Sequence, residues 1–155
     1  MKKFLATLTL AALANVVALP AASITFPSLT TIYVGSGVLD GIGANVATIF
    51  SCSNVSGVTA TLRVQVLFGG GSVAGAASGP VTHGSTLLVS TRLTAAFIDN
   101  LLISGAEGVQ GVVNIESTQS AVFCTAAVVD SANAVPIFTM PLHLVRINPH
   151  PGTVE

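Results

Sequence analysis

The sequence predicts an all-β fold, an antiparallel β-sandwich of about 7–9 strands with one short helix, behind an N-terminal signal peptide. Three observations carry that expectation. Over 155 residues, 51% are hydrophobic but only 5% are aromatic and 7% charged, so the apolar bulk is Ala, Val, Leu and Ile. Apolar and polar residues alternate with period two over 58–68, as in a strand with one buried and one solvated face. Short apolar runs recur between Gly, Asp and Asn residues, the spacing of strands and turns.

The leader comes first. Lys2 and Lys3 precede an apolar run over 4–19 that only Thr7, Thr9 and Asn15 interrupt. Pro20 ends the run, and Ala21-Ala22-Ser23 supplies the small residues of a cleavage site after Ser23. The run is short for a bilayer span, which needs about 20 residues. Residues 1–23 therefore read as a signal peptide of bacterial type, and residues 24–155 as a single β-sandwich domain. The chain is expected to be exported to the periplasm, cell surface or extracellular space.

Along the domain, strands are expected at 30–34, 46–52, 58–68, 85–93, 109–117, 121–129 and 142–147, with a weaker one at 135–140. Gly35-Ser36-Gly37-Val38-Leu39-Asp40-Gly41 has glycine spacing one residue too long for a dinucleotide fingerprint, and reads as a turn-rich connection. Asn54-Val55-Ser56-Gly57 is a turn signal that predicts a hairpin between the Cys52 strand and 58–68. Thr118-Gln119-Ser120 predicts a second hairpin, joining 109–117 to 121–129. The glycine-rich stretch 69–80 reads as a low-complexity loop. Only 94–103 has helical spacing, with Phe97, Ile98, Leu101 and Leu102 on one face.

Cys52 and Cys124 are the only cysteines, and each sits in a strand-like run downstream of an export signal. A disulfide between them is the expected arrangement. It would close a loop of about 70 residues and stabilise by about 4 kcal/mol on the chain-entropy model. The alternative is two buried free thiols. Neither cysteine has a neighbouring His or Lys to activate it. The cysteine spacing is similar to that of immunoglobulin-like sandwiches, but the chain has no Trp and position 122 is Val where a tyrosine corner needs Tyr. The resemblance is therefore one of architecture only.

Charge and motif content narrow the function. Residues 24–155 hold Arg63, Arg92 and Arg146 against Asp40, Asp99, Glu107, Glu116, Asp130 and Glu155, and no lysine. Nucleic-acid binding by a basic surface is excluded on that balance. No transmembrane span is expected after the leader. His83, His143 and His150 lack the paired spacing of a zinc site. No serine stands in a nucleophile elbow, so no catalytic, cofactor or metal residue is assigned. Arg146 lies in an apolar run and is expected either to pair with Glu116 or to face solvent near the strand end. Asn54-Val55-Ser56 matches a glycosylation sequon that matters only in a eukaryotic secretory pathway.

The function that fits is a non-enzymatic, exported binding or assembly module of the envelope or extracellular space. Its surface, solvated by Ser and Thr rather than Lys, suggests self-association or contact with another envelope protein through sheet edges. The alternative is a small exported hydrolase or ligand-binding protein with a loop-borne site, for which only His83 is suggestive.

Overall fold

Ten strands form two five-stranded sheets in the computed structural model, which describes residues 28–41 and 43–147. The strands are β1 (Thr30–Leu39), β2 (Val46–Asn54), β3 (Ala60–Phe68), β4 (Val73–Val81), β5 (Thr86–Ser90), β6 (Leu101–Leu102), β7 (Gln110–Ser117), β8 (Val122–Asp130), β9 (Thr139–Leu142) and β10 (Leu144–Arg146). One sheet has the order β10-β1-β7-β3-β4 and the other β6-β5-β2-β8-β9. Every pairing is antiparallel except β5 with β6. The expected signal peptide, and His150, lie outside the described residues.

Alternation builds the core. Ala60, Leu62, Val64 and Val66 of β3 are buried and face inward, whereas Val58 and Phe68 at the two ends of the pattern are exposed. They pack with Ile32, Phe50, Val113, Ile115 and Val122 between the sheets. A second, smaller cluster of Ala47, Ile49 and Val129 lies on the opposite face of β2 and β8.

Several expectations are corrected. Neither expected hairpin forms: β2 and β3 belong to different sheets, as do β7 and β8, so both turns are arches that carry the chain across the core. Buried Asn54 anchors the first arch, its Nδ2 donating to the carbonyls of Val58 and Val81 at 2.7 Å each, while its Oδ1 accepts from Ser56 N–H at 2.9 Å. That side-chain turn spares the crossing segment an unpaired backbone. The strand count is also higher than expected, because short pieces close the sandwich on both sides. The chain leaves one sheet at Leu142 and enters the other at Leu144.

Residues 94–103 are not helical among the described residues. Asp99 Oδ2 accepts from Thr94 N–H at 2.7 Å and from its hydroxyl at 3.0 Å, which closes a loop instead of a helical turn. Asn100 N–H donates to Leu88 O at 2.9 Å, and Leu101–Leu102 then pair with β5 as β6. The glycine-rich stretch is largely strand β4. Its glycines admit the segment behind them: a Cβ at Gly75 would lie 2.2 Å from Ser104 O, and one at Gly79 would lie 2.9 Å from Leu101 Cδ1. The connection expected at 35–41 is the second half of β1, irregular between Ser36 and Val38, where Gly37 takes φ +88°.

The disulfide is formed. Cys52 and Cys124 are direct partners across β2 and β8, with Cα atoms 4.1 Å apart. They lie in one sheet, unlike the inter-sheet bridge of immunoglobulin domains.

Sheet edges are short or interrupted. Thr61 exchanges bonds with Thr118, accepting from its N–H and donating its own to the hydroxyl, so Thr61 turns its backbone toward β7. Its partner Pro80 therefore occupies an outward position of edge strand β4, where it offers no N–H. Asp130 N–H donates to Phe138 O, which sets the alternation of β9 and turns Pro141 outward in the same way. The other edges, β6 and β10, are two and three residues long.

Candidate functional site

Cross-strand register sorts the outer face of the β10-β1-β7-β3-β4 sheet into three rows. The first, Thr31, Glu116, Arg63 and Ser78, is polar and charged. The second runs Val145, Val34, Asn114, Gln65 and Ala76. The third, Ser36, Val112, Leu67 and Val73, is mostly apolar. Directly opposed residues on one face are in contact range, so each row is a physical unit.

A depression of about 530 Å³ lies over the second and third rows, with His143 and Val145 at its β10 side. Its walls are Val34, Leu67, Val112 and Val145, and its polar groups are the amides of Asn114 and Gln65 with Ser36 and His143. An apolar lining with a few polar groups of this size is the usual make-up of a ligand or partner site.

The polar groups are held in order. Arg63 forms an ion pair with Glu116 through Nε and Nη2. Donating to the Glu116 carboxylate raises the Arg63 pKa above its ordinary value. Glu116 Oε1 accepts from Asn114 Nδ2 at 3.1 Å, which fixes the amide orientation, since the reverse would set two oxygens against each other. Asn114 Oδ1 is thereby turned away from Glu116; it is buried and has no hydrogen-bond partner among the described residues.

Asp40 and Asp130 serve the scaffold. Asp40, whose side chain is fully buried, accepts from Arg92 Nη2 at 2.8 Å and from Gly108 N–H at 3.1 Å. Asp130 accepts from Ala132 N–H, Asn133 Nδ2 and Ile137 N–H, and these bonds, led by that of Asn133, hold its carboxyl below the ordinary aspartate value. Arg146 does not pair with Glu116, which Arg63 engages, nor does it extend into solvent. Its Nη1 donates to Tyr33 OH at 2.6 Å and Val122 O at 3.2 Å, and Nη2 donates to Ser120 O at 2.6 Å. Its guanidinium lies 5.1 Å from the Tyr33 ring centroid and 5.6 Å from that of Phe123.

His83 is exposed, and its Nδ1 accepts from Gly57 N–H at 3.1 Å. It sits beyond the Val81 end of the β3–β4 hairpin, whereas Gly69, Gly70 and Gly71 form the turn at the other end. The sequence brings His143 to the depression and leaves His83 remote from it. Among the described residues no group of three or more His, Cys, Asp or Glu side chains lies close enough to hold a metal ion. No helix among them is long and apolar enough to cross a membrane.

Asn114, Gln65, Leu67 and Val112 are legible in the sequence only as outward strand positions; what assembles them is register between strands distant in sequence. No protein-family model matches the chain, and neither curated proteins nor solved structures give a significant match.

Proposed function

We propose that the protein is an exported, non-enzymatic β-sandwich that works as a binding or assembly module of the envelope or extracellular space. Its contact surface is the outer face of the β10-β1-β7-β3-β4 sheet. The observation that carries this reading is the depression over Val34, Leu67, Val112 and Val145, bordered by the ordered Asn114–Glu116–Arg63 chain. The disulfide is consistent with an oxidising, exported location. With Pro80 and Pro141 interrupting the longer edges, pairing through an edge is narrowed to a few backbone groups of β4, and the face becomes the larger offer.

A small-ligand site is the second reading, favoured by the buried Asn114 Oδ1, an acceptor that a hydrogen-bond donor would satisfy. Photo-crosslinking in the producing cells separates the two. A photoreactive residue at Leu67 or Val112 should give a discrete protein adduct, and one at Thr125 on the other sheet should not. Equal labelling at all three positions, or none, overturns the partner reading. Recovery of a small molecule from the wild-type protein, lost in Val112→Asp, favours the ligand reading.

A further inference from the structure

Two loops at one end of the β6-β5-β2-β8-β9 sheet carry the most exposed aliphatic side chains of the described chain. Ile98 is 89% exposed and Leu93 68% exposed in the loop after β5, and Val135 and Ile137 are each 82% exposed in the loop after β8. The loops are neighbours, joined by Ala95 N–H donating to Ser131 O at 2.9 Å. We propose that they form a pair of apolar prongs that seat the protein on a lipid surface.

Both loops are built alike. Asp99 ties the first by accepting from Thr94 N–H and hydroxyl, and Asp130 ties the second by accepting from Ala132, Asn133 and Ile137. Each aspartate spends its charge at the loop base, and the tips keep none. No charged residue lies between Arg92 and Asp99, and none between Asp130 and Arg146. Pro136, between Val135 and Ile137, stiffens the second tip. Loops held in shape by their bases display apolar side chains at little further entropic cost on binding.

The occupant follows from the chemistry of the tips. Separate aliphatic side chains on two loops, with the flanking charges of Arg92, Asp99 and Asp130 engaged by Asp40 and by the loops' own backbone and side chains, match a medium that is apolar and has no fixed shape, which is the acyl boundary of a bilayer. A protein partner would favour a flatter, continuous patch with polar groups to pair. Residues 24–155 contain no lysine, so attraction to anionic headgroups is not the driving term. Binding should therefore need only zwitterionic lipid and resist salt.

The test is sedimentation of the purified protein with sucrose-loaded phosphatidylcholine vesicles. The wild-type protein should partition to the vesicles, equally in about 0.05 M and 0.5 M salt. The double variant Ile98→Asp, Ile137→Asp should partition about tenfold less or lower, and Val135→Asp alone should weaken it too. Unchanged thermal melting by circular dichroism checks that the variants remain folded. Leu67→Asp, on the outer face of the other sheet, should leave partition unaltered, which separates this proposal from the binding face above. Absence of wild-type partition overturns the proposal, as does partition that survives the double variant. A dimer in solution that the double variant dissociates also overturns it, by assigning the tips to a second copy.

Discussion

Cys52 and Cys124 face each other as a non-hydrogen-bonded pair of β2 and β8, Cα atoms 4.1 Å apart. The alternation follows from Asn54, whose N–H donates to Ser85 O, and from Val55, whose N–H donates to Ala121 O. Even positions of β2 thus turn their backbones toward β5 and odd ones toward β8, and Cys52 is even. Such pairs are the close ones in an antiparallel ladder, which brings the two cysteines within bridging reach. Reduction, or Cys52→Ala with Cys124→Ala, should lower unfolding free energy by about 2–4 kcal/mol. Urea unfolding with and without reductant measures it; a midpoint that ignores reductant rejects the expectation.

Asp40 and Arg92 bind one another unequally. The Asp40 side chain is fully buried and that of Arg92 is 33% exposed. Donating to the Asp40 carboxylate raises the Arg92 pKa above its ordinary value, so the cation persists across the accessible pH. Arg92→Met leaves a buried carboxylate with only Gly108 N–H and should cost about 3–5 kcal/mol. Asp40→Asn leaves a cation that can turn to water and should cost less, about 1–3 kcal/mol. Chemical denaturation of both variants checks the order, and the reverse order rejects the argument.

Acid sensitivity should centre on Asp130. Its folded pKa lies below the ordinary value of about 4, so the unfolded state binds more protons as pH falls. The stability it contributes is full above that ordinary value and is lost as pH drops through the lower folded value. Asp130→Ala should be destabilised at neutral pH, with the gap to wild type closing in acid. Urea midpoints between about pH 7 and pH 2 give the comparison. A constant gap would mean that the side chain acts without its charge.

What the sequence made legible follows a physical line. Strand 58–68, the two cysteine strands and the disulfide rest on local pattern, and local pattern survives folding. The arches at 54–57 and 118–120 were beyond reach, because turn chemistry says only that the chain reverses. Whether it returns to the same sheet depends on which side of the core the next inward face joins: Cys52 and Leu62 both point into the core, but from opposite sheets. The helical spacing of Phe97, Ile98, Leu101 and Leu102 misled, because Asp99 and Thr94 offered the backbone a loop and β5 offered Leu101 a partner. The binding face needed the register of β10, β1, β7 and β3, strands far apart in sequence, and no single segment encodes it.

Arg146 should resist conservative replacement. From β10 it reaches Tyr33 OH, Val122 O and Ser120 O, and so joins the edge of one sheet to the arch that enters the other. Tyr33, the single tyrosine, adds a bond from its hydroxyl to Val122 O at 3.3 Å. A guanidinium serves these acceptors from one plane while stacking near Tyr33 and Phe123. Lysine carries the charge but not the planar fork, and strands at least one of the two carbonyls. Arg146→Lys should therefore cost about 1–2 kcal/mol in urea unfolding. Hydrogen exchange gives the sharper reading: amides of 118–122 should lose protection in Arg146→Lys, while those at the centre of β3 keep theirs. Equal protection in variant and wild type would show that the arch stands without this residue.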